Sequence, residues 1–400
     1  MRRILMLATA AAMASLPLLA ARAAEEAVII GAATASSGWM APYDEGPVSA
    51  AQVAVDEINE AGGVLGHPLK LVHVDTKTDR AEAAKAAAQL AGQGAKAIIV
   101  SADFDMGGPA ALVANQEGVL AFSTNGADIK LGNKAVGPYV FTLATEAEGA
   151  GALLADWAYR KQGWKTGYLL EDTALEYTKS LARGFKAGWT KVAGADALVG
   201  EDSYKNADPS VAAQVSRLAA LDKKPDFIFL AGVTPGFPAV LRQLRAAGID
   251  APVIGGVGFD GDEWHGALPP EALTKVYYGS YSSARGDDPR PEIASFLERF
   301  KARNGGKPPA SGGLAVSGYS AVYAWARAAE RAGSVEPAKV LAELEKFKDE
   351  PLLVGPTTFT PDLHINRSRA TLIVGFDNAK ATPLGYYDPA AGDYVEWWKN

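Results

Sequence analysis

Short apolar runs alternate with longer stretches whose apolar residues recur every three or four positions, and the alternation persists through most of the 400-residue chain. The first pair lies in residues 27–63. Residues 27–33 form an apolar run bounded by small polar residues, which predicts a buried strand. Val48, Ala51, Val55 and Ile58 mark one face of a helix that Gly62 and Gly63 stop. Between them, residues 36–43 read as a loop carrying two aromatics, Trp39 and Tyr43. In an open parallel sheet the loops after strand ends face the ligand crevice. Trp39 and Tyr43 are therefore candidate ligand contacts, with packing as plain loop anchors as the alternative.

The same rhythm continues. Strands are expected at residues 68–75, 95–101 and 118–123, with helices at 79–91, where Asp79 is the expected cap, and near 107–114. It restarts after residue 150. Helices at 148–161, 177–192, 209–221 and 237–247 alternate with strands at 165–170, near 198, at 226–231 and at 252–255. Two consecutive α/β series, each about a domain long, predict an α/β protein of two doubly wound parallel-sheet lobes.

From Val276 the pattern changes. VYYGSYSS is an extended segment placed as a crossing between lobes, and residues 292–303, 318–331 and 337–346 have helical spacing. The stretch 303–313 reads as a surface loop. From Thr357 four strand-like pieces separated by turn residues predict a small hairpin array.

Composition narrows the class. Residues 1–23 read as a secretory signal: Arg2-Arg3, an apolar stretch over 4–20, and the small-x-small site Ala21-Arg22-Ala23. The expected destination is a periplasm, as a protein that is not membrane-inserted, since no later run is long and apolar enough to span a bilayer. Without the signal, 36 basic residues face 46 acidic ones, a net charge of −10. That balance argues against nucleic acid and anionic lipid as partners. There is no Cys, and the four His show no ligand spacing, so neither a disulfide nor a metal site is expected.

The catalytic signatures fail. Residues 256–261 fit G-x-G-x-x-G after a strand, but Ala267-Leu268-Pro269-Pro270 breaks the helix that a dinucleotide site needs. There is no G-x-S-x-G elbow, no H-E-x-x-H and no phosphate loop. Acidic pairs such as Asp103/Asp105 and Asp260/Asp262 serve equally well as caps. No cofactor and no enzymatic activity are expected; a secreted enzyme remains only as a default rival.

Nearly end to end, the chain after residue 23 resembles periplasmic solute-binding proteins of the leucine/isoleucine/valine-binding family, which serve ABC importers. The resemblance is carried by Ser37-Gly38 and Tyr43, by Asp56-Glu57-Ile58-Asn59 before Gly62-Gly63, and by Glu117-Gly118-Val119-Leu120. Further support comes from residues 240–248 (VLRQLRAAG) and 355–359 (GPTTF). It implies the type I periplasmic-binding fold, with two lobes joined by three crossings that close around a ligand. The first lobe would be 24–142 plus 279–353, and the second 143–278 plus 354–400. It implies a small-molecule ligand and permease subunits as partners, with a monomer as the default.

The family's amino-acid clamp is not kept at the matching positions. Its Ser after the third strand falls on Phe104, and its Thr after the fourth on Ala127. Its acid falls on Val257, with Asp260 three residues on, and one of its aromatics becomes Val233. Tyr43 and Tyr177 match aromatic positions of the cleft. The family's first-lobe disulfide is absent, with Thr78 and Asp103 at its positions. The candidate contacts are thus Trp39, Tyr43, Ala102, Asp103, Phe104, Asn125, Gly126, Ala127, Tyr177, Val233, Thr234, Val257 and Asp260. With Phe104 and Val257 in place of the clamp, an α-amino acid would be poorly satisfied unless Asn125, Asp128, Thr234 or Asp260 substitutes. An aromatic or other non-amino-acid solute is the expected ligand. The alternatives are a conventional aliphatic amino acid held by shifted loops, and a soluble sensor that hands its ligand to a membrane receptor.

Overall fold

A computed structural model describes residues 26–310 and 312–399. The expected signal at 1–23 lies outside these residues.

The first sheet contains β1 (Val28–Thr34), β2 (Leu69–Asp75), β3 (Ala97–Val100), β4 (Leu120–Ser123) and β5 (Val140–Thr142). Its order is β2-β1-β3-β4-β5 and every pairing is parallel. The crossovers are α1 (Ala41–Glu60), α2 (Arg80–Gly92) and α3 (Phe104–Gln116). Asp79 caps α2 as its sequence predicts, accepting from the N–H groups of Ala81 and Glu82 at 2.8 and 2.9 Å. On one face of the sheet, α2 and α3 press small residues such as Ala83, Ala87 and Ala111 onto Ile98 and Val100.

The second sheet begins with the parallel strands β6 (Gly167–Asp172), β7 (Leu198–Tyr204), β8 (Phe227–Ala231), β9 (Val253–Gly255) and β10 (Val276–Ser280). Helices α4 (Ala147–Arg160), α5 (Glu176–Ala193), α6 (Ala212–Ala220) and α7 (Gly236–Ala246) belong to this half. α4 and α5 cross so closely that a Cβ on Gly184 would lie 2.0 Å from the Glu148 carbonyl oxygen, so a side chain there would force the helices apart.

The chain then returns to the first sheet. α8 (Pro291–Arg303), α9 (Ala315–Ala332) and α10 (Pro337–Leu344) follow, with α9 packed on α1. β11 (Glu350–Leu352) and β12 (Gly355–Thr357) form a small antiparallel pair. Finally β13 (Thr371–Asp377), β14 (Lys380–Asp388) and β15 (Asp393–Val395) complete the second sheet, in the order β15-β14-β13-β10-β9-β8-β6-β7.

Four details differ from the sequence reading. The C-terminal hairpins are not a separate array: β13 pairs antiparallel with β10 and extends the second sheet. β5 has only three residues and carries no periodic signal. α1 begins at Ala41, so Tyr43 sits on its first turn rather than on a loop. α3 begins at Phe104, three residues earlier than its apolar spacing suggests, because Asp103 caps it.

Three segments run between the two sheets, and they are pinned side by side. The Thr142 and Glu146 N–H groups donate to the carbonyls of His364 and Asn366 at 3.0 and 2.8 Å. The Thr145 N–H donates to the Tyr281 hydroxyl. The buried guanidinium of Arg369 donates to the carbonyls of Leu143 and Pro356 and to Thr357 Oγ1.

Candidate functional site

A strand order of 2-1-3-4-5 has its switch point between β1 and β3, where the chain leaves neighbouring strands in opposite directions and a crevice opens at their carboxyl ends. The second sheet repeats the arrangement between β6 and β8. The loops after these strands meet face to face. They enclose a cavity of about 30 Å³. From the first half come Trp39, Met40, Tyr43, Ala102, Asp103 and Asn125; from the second come Leu175, Tyr177, Val233, Val257 and Gly258, with Leu314 beside them. Behind Tyr177 and Val257, which line both, lies a second cavity of about 20 Å³ that includes Ala127 and Thr145. A larger surface groove of about 730 Å³ runs along the hinge near Asn366 and Trp397. The site is assigned to the smaller cleft because the strand-end loops of both sheets converge there.

The first-half loops are held from below by Asp44, one residue beyond Tyr43 on α1. Its carboxylate accepts from the Ala35 N–H at 2.8 Å, the Ser101 hydroxyl at 2.6 Å and the Ala102 N–H at 2.8 Å. One side chain thus ties the ends of β1 and β3 together. Burial outweighs those three donors and pushes its carboxyl up to about 6. The Trp39 loop is fixed separately. Gly38 turns it with φ +83°, and a Cβ there would lie 2.4 Å from Thr78 Oγ1. Thr78 in turn donates to the Ser37 carbonyl.

Asp103 Oδ1 accepts the N–H groups of Asp105 and Met106 at 2.7 and 3.2 Å, which caps α3. Burial, then the neighbouring charge of Asp105, pushes its carboxyl up to about 7. Asn125 is buried, and its Oδ1 has no hydrogen-bond partner.

Across the cleft the two halves bond directly. The Tyr43 hydroxyl donates to the Gly258 carbonyl at 3.0 Å, accepts from the Thr234 N–H at 2.9 Å and touches Thr234 Oγ1 at 2.9 Å. Within the second half, the Tyr177 hydroxyl accepts from the Gly258 N–H, on the residue whose carbonyl Tyr43 holds. Asp105 Oδ2 accepts from the Glu176 N–H at the start of α5, and Lys130 pairs with Glu176. Tyr43→Phe removes the three contacts at the centre of this seam. The expected result is a cost of about 1–2 kcal/mol to the closed arrangement, roughly a ten-fold fall in the ratio of closed to open molecules. Small-angle X-ray scattering should show a larger radius of gyration than wild type with little change in melting temperature; identical curves would show that the hydroxyl does not latch the cleft.

Of the residues expected from sequence, Trp39, Tyr43, Ala102, Asp103, Asn125, Tyr177, Val233 and Val257 come together around the cavity, and Ala127 lines its neighbour. The others do not line it. Phe104 lies on the first turn of α3, packed against Gly108 with the Lys130 ammonium 6.0 Å from its ring. Gly126 is structural: its N–H donates to Ser123 Oγ and its carbonyl accepts from Thr142. Thr234 spends its polar atoms on Tyr43 and Asn206. Asp260 is buried against Ser280, the Gly261 N–H and the Gly313 N–H, where it ties its loop to the segments beside the hinge. Burial pushes it up to about 6 against the Ser280 hydrogen bond. The sequence reading missed Met40, Leu175, Gly258 and Leu314, which carry no chemical signal. It also missed Asp44, whose acid directly after Tyr43 is the one available clue. The 256–261 stretch forms a single turn of 3-10 helix rather than a nucleotide-binding helix.

Among the described residues, no group of His, Cys, Asp or Glu is arranged to hold a metal, and no helix is long and apolar enough to cross a membrane.

Mixed loops at facing switch points define a two-part ligand-binding protein. The chain belongs to the periplasmic binding protein family, whose profile matches residues 27–378. This is a class that binds solutes and is not catalytic. The Leu/Ile/Val-binding protein BraC3 of Rhizobium johnstonii is 26% identical over 333 residues, covering 83% of this chain and 87% of that protein. The isoleucine complex of LivJ, the branched-chain amino acid transporter substrate-binding protein of Streptococcus pneumoniae, superposes with a TM-score of 0.78 at 26% identity, covering 90% and 99% of the two chains. An ABC transporter solute-binding protein from R. palustris in complex with benzoate superposes with a TM-score of 0.73, covering 90% and 96%; at 20% identity it shows the fold alone.

Proposed function

We propose that the chain is the periplasmic substrate-binding component of an ABC importer, closing two lobes around a small apolar solute that is not an α-amino acid. One observation carries the ligand class. Among the described residues no Ser or Thr hydroxyl and no Lys or Arg lines the cavity, while an acid, Asp103, does, beside the Asn125 amide, the Trp39 indole and the hydroxyls of Tyr43 and Tyr177. A ligand carboxylate taken out of water is best held by a positive partner, and this lining supplies none and sets the Asp103 carboxyl in its place.

The lobes are 24–142 plus 279–353 and 143–278 plus 354–400; the three pinned crossings support this division. Closure is hinge motion about them, with Tyr43 and the Asp105–Glu176 contact as the latch. The chain acts as a monomer, hands its solute to permease subunits and catalyses nothing. Two other readings are kept. The relatives named for leucine, isoleucine and valine favour a conventional aliphatic amino acid, and delivery to a membrane receptor would make the same cleft a sensor.

The test is thermal unfolding of the purified protein against amino acids, aromatic acids, amides, amines and polyols. A ligand that binds only the folded state raises the midpoint. A shift with a non-amino-acid solute alone is the expected result. A shift with leucine or valine would return the site to the ordinary amino-acid role.

A further inference from the structure

Asn125 sits at the end of β4, 6% exposed, and lines the cavity. Its Nδ2 reaches Thr124 Oγ1 at only 3.4 Å, and its Oδ1 meets no donor. Buried acceptors without partners are few in native proteins, and each has a reason.

Asp103 lines the same cavity. Its Oδ1 is taken by two backbone N–H groups of α3, and among the described residues no donor reaches its Oδ2. The N-terminal end of a helix by itself favours an anion; here Asp103 already answers it. The polar side of the cavity therefore offers two acceptors without donors, Asn125 Oδ1 and Asp103 Oδ2. Its walls are the rings of Trp39, Tyr43 and Tyr177 with Val233, Val257 and Leu314. Ring faces attract cations.

We propose that the solute is an organic ammonium, an apolar body with one protonated amine and no carboxylate, whose amine donates to Asn125 Oδ1 and Asp103 Oδ2. This rests on the reading of the cleft as a site for an apolar non-amino-acid solute, and names the polar end of that solute. An ammonium carries three donors and no acceptor, so it can satisfy Asn125 Oδ1 and Asp103 Oδ2 at once. A carboxylate in the same place would face the lone pairs of Asp103 Oδ2 and Asn125 Oδ1. An alcohol would satisfy one of the two acceptors and leave the other bare.

The probes are benzylamine, 2-phenylethylamine and isopentylamine, with benzoate, benzyl alcohol and leucine as comparisons, measured by thermal shift and titration calorimetry. At least one amine is expected to raise the wild-type midpoint, and Asp103→Asn, which can still cap α3, is expected to weaken that amine at least ten-fold. Asn125→Leu carries the same test if the first variant fails to fold. A shift with benzoate and none with any amine overturns the ammonium and leaves the non-amino-acid reading standing. A shift with leucine overturns both. No shift with any amine, or an amine bound equally well by the variants, overturns the ammonium.

Discussion

Asp44→Ala is expected to lower the unfolding free energy by about 3 kcal/mol, since it strands two buried backbone N–H groups and a hydroxyl, each costing roughly 1–3 kcal/mol, against the relief of an acid that burial already disfavours. The groups are those of Ala35, Ala102 and Ser101, at the ends of β1 and β3. Asp44→Asn should cost nearly as much. One carboxylate oxygen meets the Ala35 N–H and the other the Ala102 N–H, so whichever way the amide turns, its NH₂ faces a backbone donor. The pH dependence has a definite sign. The native carboxyl stands near 6, above its ordinary value near 4, because it is buried. The native state therefore holds this proton more tightly than the unfolded chain, and the group's contribution declines as pH rises from about 4 to about 6. The deficit of Asp44→Ala should thus be larger at pH 4.5 than at pH 7.5. Urea unfolding at both values measures it. A deficit that vanishes at both would show that the strand ends hold their geometry without this side chain.

The same residue shows what the sequence made legible and what it left out. The strand before Trp39 and the helix after it were readable because apolar residues recur with a fixed period, and the Asp79 cap because its carboxylate needs only its own backbone. Asp44 lies inside that helix, but its partners at 35, 101 and 102 are assembled only when β1 and β3 pair. No local pattern encodes that. That Phe104, expected beside Asp103, does not line the cavity has a similar cause: counting positions across a loop cannot tell where α3 begins, and a shift of one residue turns a side chain from the crevice to the helix flank. Val233 and Val257 were found through resemblance, whereas Leu175 and Leu314 are apolar residues whose place on the wall depends on how the lobes meet. The mixed second sheet was hidden for a further reason. The alternation in 371–388 predicts hairpins, but not which open edge they join; β10 offers that edge only after the parallel strands have formed.

Arg369→Met is expected to cost about 3 kcal/mol or more, because removing its donors leaves several buried acceptors unpaired at about 1–3 kcal/mol each. Those acceptors are the Leu143 and Pro356 carbonyls and Thr357 Oγ1, so the guanidinium stitches the first crossing to the third. Burial, with Arg290 nearby, lowers its pKa to about 10, which leaves it protonated throughout the neutral range. Stability alone would not separate a hinge role from ordinary packing, and Arg245 supplies the comparison. It also donates to three carbonyls, those of Ile249, Ala251 and Thr274, but all lie within the second half. Both substitutions should lower the urea midpoint. Only Arg369→Met should speed hydrogen exchange at Thr142, Thr145 and Glu146, whose amides bond to the other crossings. Equal exchange at those three amides in the two variants would mean that the crossings move as a unit without Arg369. Faster exchange in Arg369→Met alone would place the bending stiffness of the hinge in one side chain, as expected if the lobes turn about three strands held at a fixed spacing.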